Sequence, residues 1–142
     1  MYDAQFWAKA WQEARRTSSL GSGYHNEQGW RDFWDLFAEH YALRNRQSRP
    51  AADTVVEYLF NEGVINPESR VLDIGCGPGT YTLALTARAK QVTGLDLSEP
   101  MLEILRKEAQ HCGVEDCLEI APIDWREFPT ESTYDLVFAA KT

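Results

Sequence analysis

Two kinds of apolar spacing follow one another along the chain. Over residues 3–16, Phe6, Trp7, Ala10, Trp11 and Ala14 recur on one side of a 3.6-residue turn, which predicts an amphipathic helix. Gly21-Ser22-Gly23 breaks it. A second helix is predicted from about Glu27 to Arg46, with Trp30, Phe33, Trp34, Phe37 and Tyr41 on one stripe. A third starts near Pro50, carries Val55, Val56, Leu59 and Phe60, and ends at Gly63, since proline suits a first turn and glycine a C-terminal cap.

From residue 70 onward, short apolar runs alternate with helical periods. Arg70–Ile74, Gln91–Leu97, Cys117–Ala121 and Tyr134–Ala140 read as strands. Helices are predicted over Gly79–Arg88 and from Glu99 to about His111, the latter capped by Ser98 and stopped by Gly113. Only a loop with Pro122 and Pro129 separates the last two strands, so a helix between them is short or absent. Such alternation predicts an α/β fold, a parallel sheet with helical layers. Residues 1–49 form a helical N-terminal region and residues 50–142 the α/β region. Ten of the seventeen aromatic residues lie within the first 41 positions, which supports the division. Their stripes either pack on the sheet region or roof a ligand pocket, and an aromatic roof does both.

Length and charge narrow the function. With 142 residues the chain supports one sizeable core. No apolar run reaches the roughly 20 residues of a membrane helix, and Met1 to Arg16 lack the basic-then-apolar order of a signal peptide, so no membrane partner and a cytoplasmic address are expected. The net charge of −8 is uneven: residues 1–50 hold seven basic against six acidic side chains, and residues 51–142 hold seven against sixteen, a net −9. That acidity speaks against a nucleic-acid partner. Arg44, Arg46 and Arg49 form a basic cluster, read first as a solvated helix end and second as an anion contact. Cys76, Cys112 and Cys117 lack metal-ligand spacing and are read as reduced, mostly buried thiols, with no metal expected.

The candidate chemistry lies where the first strand runs into Asp73-Ile74-Gly75-Cys76-Gly77-Pro78-Gly79-Thr80. A glycine-rich turn between strand and helix lets backbone approach a ligand closely, at the carboxyl edge of the sheet where open α/β folds bind. A dinucleotide fingerprint would need glycine at Thr80, and no Gly-Lys-Ser/Thr follows for a phosphate loop. Asp96, at the end of the second strand, can accept hydrogen bonds from both hydroxyls of a ribose. Asp124, followed by Trp125, lies just past the third strand. One strand-end aspartate is as well explained as a cap or turn former; three, with the glycines, form a pattern.

Val71–Thr80 resembles the first motif of class I S-adenosylmethionine-dependent methyltransferases, and the resemblance extends through residue 140. It implies a Rossmann-like sheet whose first four strands take the order 3-2-1-4, under an N-terminal helical lid. It implies S-adenosyl-L-methionine as cofactor, with Asp73, Gly75, Cys76 and Gly77 facing its methionine part and Asp96 its ribose. Leu97 and Met101 would lie against the adenine, Asp124 would accept from the adenine amino group, and Trp125 would flank the ring. Ala139 would let the cofactor lie close, and Tyr41 resembles a lid tyrosine over the methionine end. Such an enzyme positions a nucleophile rather than activating it with a triad or metal. No catalytic residue is assigned; His25 and His40 are candidate bases, more simply read as structural or solvated. After the fourth strand, Ala139-Ala140-Lys141-Thr142 departs from the Asn/Asp-Pro-Pro-Tyr pattern of relatives that methylate amide or base nitrogens. A small-molecule methyl acceptor is therefore expected. An NAD-type dehydrogenase domain and a cofactor-binding fragment without turnover are the alternatives. The family sheet has seven strands, so the chain is expected to be C-terminally incomplete and inactive alone, with self-association possible through the edge of strand four.

Overall fold

Val71 and Val92 have no exposed surface, and they are direct partners across the two central strands. In the computed structural model, which describes residues 27–129 and 133–140 with the isolated positions 9 and 13, four strands form one parallel sheet. These are β1 (Arg70–Ile74), β2 (Gln91–Leu95), β3 (Leu118–Ala121) and β4 (Leu136–Ala139). Their order is β3-β2-β1-β4, as the resemblance implied. Val71 pairs with Val92 on one side and Leu136 on the other, and Val92 pairs with Leu118. Val71, Leu72 and Asp73 are consecutive and all buried, so both faces of β1 are covered, as parallel strands require.

The helices are α1 (Glu27–Arg46), α2 (Arg49–Asn61), α3 (Thr80–Thr86) and α4 (Glu99–Cys112), with a 3-10 turn at Glu115–Cys117 before β3. One core cluster gathers Ala52 and Val56 of α2, Ala84 and Leu85 of α3, and Val71 and Val92 of the sheet. A second joins Leu102 and Leu105 of α4 to Cys76, with Leu118 and Ile120 against it. Burial of each such leucine or valine stabilises the fold by roughly 1.5–3 kcal/mol.

Sequence and structure differ mainly at element ends. β2 stops at Leu95 rather than Leu97, because the Asp96 side chain accepts the Ser98 N–H and turns the chain. β4 begins at Leu136 rather than Tyr134, because Asp135 Oδ2 accepts the Arg70 N–H that a strand carbonyl would otherwise take. α3 closes at Thr86, where the N–H groups of Ala87 and Arg88 tighten onto Ala84 and Leu85. Of the predicted first helix only Lys9 and Glu13 lie among the described residues, both helical and exposed. Its remainder, the Gly21–Gly23 break and His25 lie outside them.

The stripe of α1 needs a larger correction. Its buried positions are Ala38 (1% exposed) and Ala42 (8%), where the helix meets α4. Trp30, Phe33, Trp34 and Tyr41 are only half-buried, and Phe37 is exposed. Small residues let two helix backbones approach; the rings flank the contact and meet mostly edge to face, Trp34 lying 5.4 Å from Tyr41. Arg46 and Arg49, read as solvated or anion-binding, instead clamp Glu108 of α4 at 2.9 and 2.7 Å. Nor are the thiols mostly buried: all three are free, but only Cys76 is buried and Cys112 is exposed.

Candidate functional site: the carboxyl edge of the central strands

The glycine-rich turn folds across the end of β2. The N–H groups of Gly75 and Cys76 both donate to the Leu95 carbonyl, at 2.8 and 3.0 Å. The next glycine reaches a side chain: Gly77 N–H donates to Asp96 Oδ2 at 2.9 Å, while Ser98 N–H donates to Oδ1 at 2.9 Å. The carboxylate at the tip of β2 is thus held from both sides by backbone, nineteen residues apart from the loop that holds it. Gly77 takes φ +52°, which a side chain rarely tolerates, with Tyr41 Cε1 4.0 Å from the place of a Cβ. At Gly79, φ +90° adds to a steric demand, since a Cβ would lie 2.2 Å from Leu105 Cδ1.

Burial dominates the electrostatics. It pushes the Asp96 carboxyl upward; the N–H groups of Ser98, Gly77 and Leu97 oppose this, and the charge of Asp35 adds to it. Asp73 is raised to about 7, first by burial and further by Asp96, against the hydrogen bond from Thr82. Burial, then Asp73 and Asp96, push the Cys76 thiol up, so it remains a thiol and no nucleophile.

A cleft opens above this loop. Tyr41 and Asn45 of α1 line it from one side, Asp73, Gly75, Cys76, Gly77 and Pro78 form its floor, and Thr80, Tyr81 and Ala140 complete it. Tyr41, Asp73, Gly75, Cys76 and Gly77, all expected at the methionine end, therefore share one cavity. Ala139 does not: it is the exposed last residue of β4, and Ala140, just beyond the strand, lines the cleft. Leu97 is half-buried beside Asp96, whereas Met101, in the first turn of α4, is 2% exposed. Trp125 is 40% exposed. Asp124 is committed to Arg126: Oδ1 accepts its backbone N–H and Nε, both at 2.9 Å, and Oδ2 accepts Nη2. His40 lies exposed against Phe37, outside the cleft lining. Asn45, Thr80, Tyr81, Thr82 and Ala140 were missed in the sequence; only their nearness to the glycine loop or the strand ends marked them.

The match to known proteins decides the family. The methyltransferase domain model matches residues 71–142, half of the chain, and spans the glycine loop, Asp96, Asp124 and β4. The chain belongs to this methyltransferase family. Membership of a methyltransferase family sets the dehydrogenase alternative aside. Trans-aconitate 2-methyltransferase of Enterobacter sp. is 33% identical over 106 residues, covering 73% of this chain and 36% of that protein. The 23S rRNA (uracil(1939)-C(5))-methyltransferase RlmD of Polynucleobacter necessarius is 31% identical over 93 residues, covering 59% and 20%. Among solved structures, magnesium protoporphyrin IX methyltransferase of Synechocystis, with bound SAH, superposes with a TM-score of 0.66 at 23% identity, over 80% of this chain and 57% of that one. The chain thus spans well under half the length of these curated relatives. An rRNA methyltransferase among them also removes the ground for excluding nucleic acid by charge alone.

Proposed function

We propose that the protein transfers a methyl group from S-adenosyl-L-methionine to a small-molecule acceptor, with Asp96 holding the ribose of the cofactor. The observation that carries this reading is the carboxylate of Asp96, fixed by the N–H of Ser98 and by that of Gly77, which itself lines the cleft over the glycine loop. A carboxylate oxygen has two lone pairs, so each keeps capacity for a ligand hydroxyl after accepting one N–H. When bound, the cofactor supplies a methyl group on an already activated sulfonium. The chain then contributes position and exclusion of water: the glycine loop admits close approach, and Tyr41 covers Gly77. Asp73, part of the cleft floor, offers a carboxylate that ionises near neutrality.

A small-molecule acceptor is supported by the net −9 of residues 51–142 and by the sequence Ala139-Ala140-Lys141-Thr142 that begins at the last residue of β4. The similarity to RlmD favours rRNA as the second reading. The proposal includes a cytoplasmic address, in keeping with three free cysteines; among the described residues no helix is long and apolar enough to cross a membrane. Calorimetry tests the cofactor site, where S-adenosylhomocysteine should bind more tightly than NAD. For the acceptor, methyl-labelled cofactor is incubated with the complete gene product and a cell extract split into small molecules and RNA. Label in the small-molecule fraction supports the proposal, and label confined to RNA replaces it with the second reading.

A further inference from the structure

Asp35 belongs to α1, the helix that carries Tyr41 over the glycine loop, yet it reaches the turn that holds Asp96. The Ser98 hydroxyl donates to Asp35 Oδ1 across 2.6 Å. The Ser98 backbone N–H donates to Asp96 Oδ1, and the Ser98 hydroxyl oxygen accepts the N–H of Met101, capping α4. Ser98 is 1% exposed, so these partners replace water rather than compete with it. A hydroxyl has one proton to give and two lone pairs to receive, and both directions are used. Giving the proton to a carboxylate polarises the hydroxyl and strengthens the bond it accepts. One residue, through its hydroxyl and its backbone N–H, therefore ties α1, the end of β2 and the start of α4 together beside the Asp96 carboxylate.

We propose that Asp35 is a positioning residue for nucleoside binding, anchoring Ser98 so that the Asp96 turn and the helix carrying Tyr41 are set in one arrangement. The proposal rests on the reading that Asp96 receives the ribose hydroxyls. Ordering these parts before the ligand arrives removes an entropic penalty from binding, which is how a residue that touches no ligand acts on affinity.

The test is calorimetry of S-adenosylhomocysteine with the full chain and five variants. Asp35→Ala should weaken binding about 3- to 10-fold, as loss of a charge-assisted hydrogen bond does. Asp35→Asn keeps an acceptor for the Ser98 hydroxyl and should return affinity to within about twofold. Ser98→Gly removes the hydroxyl while leaving an acceptable N-cap, so it should reproduce the Asp35→Ala loss even where that variant folds poorly. The deciding comparison is Asp35→Ala added to Asp96→Ala: the further loss should be clearly smaller than the loss Asp35→Ala causes in wild type, whereas a merely structural role weakens binding in both backgrounds alike. Wild-type affinity in both Asp35→Ala and Ser98→Gly, with Asp96→Ala impaired, overturns the positioning role alone. Wild-type affinity in Asp96→Ala overturns the ribose reading instead.

Discussion

The hydroxyl of Thr82 donates to Oδ2 of Asp73 across 2.6 Å, both residues being buried at the junction of β1 and α3. Burial still outweighs that bond and, with the charge of Asp96, raises Asp73 to about 7. An unfolded aspartate titrates near about 3.9. Between about pH 4 and pH 7 the folded chain therefore holds a proton that the unfolded chain has released. This contribution to stability is complete below about pH 4 and is lost as the pH rises through about 7. Asp73→Asn mimics the protonated form at every pH. Relative to wild type it should gain stability on the order of 2 kcal/mol between about pH 5 and pH 8. Thermal melts of both proteins across that range provide the check, and parallel profiles would rule out the titration.

Asp96 and Asp124 should differ in what their removal does. Asp96→Ala takes away the carboxylate proposed to accept the ribose and orphans the N–H groups of Gly77 and Ser98, so affinity for S-adenosylhomocysteine should fall by about 1–3 kcal/mol. Asp96→Asn keeps one acceptor oxygen but turns an amide nitrogen toward one of those N–H groups, a smaller loss. Asp124→Ala should lose least, because that carboxylate already accepts two bonds from Arg126 at one oxygen and a third at the other. Calorimetry of the three variants gives the order. A larger effect at Asp124 than at Asp96 would move the principal nucleoside contact to β3.

The parts of the fold that were legible in the sequence are those set by local chemistry. Ser98 before Glu99 and Gly113 after Cys112 bound α4 because a cap and a left-handed residue act within a few positions. The apolar runs of β1 and β2 announced burial on both faces. The strand order came from the family resemblance, not from periodicity. What stayed hidden is set by contacts across the fold. Ala38 and Ala42, weak signals beside five aromatic residues, form the buried face of α1, because only small side chains admit α4 so closely. The pairings of Asp35 with Ser98 and of Arg46 and Arg49 with Glu108 join residues 59 to 63 positions apart, and no local pattern encodes them. At the site, the glycines and Asp96 were readable as types at a spacing. The exchange of Ala139 for Ala140 turns on where β4 ends, a detail that a period of two cannot supply without its phase.

Gly79 should be the least replaceable glycine of the loop. It has φ +90°, and a Cβ there would meet Leu105, which is itself fully buried. Strain and overpacking together predict a loss of about 2–5 kcal/mol for Gly79→Ala. Leu105→Ala should also lose about 2–5 kcal/mol through its cavity. In the double variant the new methyl has room, so the combined loss should be smaller than the sum by about 1 kcal/mol or more. Urea unfolding of the four proteins measures this. Strict additivity would show that backbone strain alone explains the glycine.

Tyr41 brings α1 over the glycine loop, and its proposed part in binding divides into ring and hydroxyl. The ring stands over Gly77, with Cε1 4.0 Å from the place of a Cβ, and meets Trp34 edge-on at 5.4 Å. Tyr41 is half-buried while it lines the cleft, so a ligand seated there would complete its burial. Tyr41→Ala should therefore weaken S-adenosylhomocysteine binding by about 1–2 kcal/mol, mostly through lost apolar contact and admitted water. Tyr41→Phe keeps the ring and should stay within about 0.5 kcal/mol, unless the hydroxyl contacts the ligand directly. Trp34 supplies an independent reading, because any shift of the Tyr41 ring alters its surroundings. Titration with S-adenosylhomocysteine should change tryptophan emission, and Trp34→Phe should remove part of that change. If Tyr41→Ala binds as tightly as wild type and the emission of Trp34 does not respond, α1 is a packing element of α4 and not a cover for the cofactor.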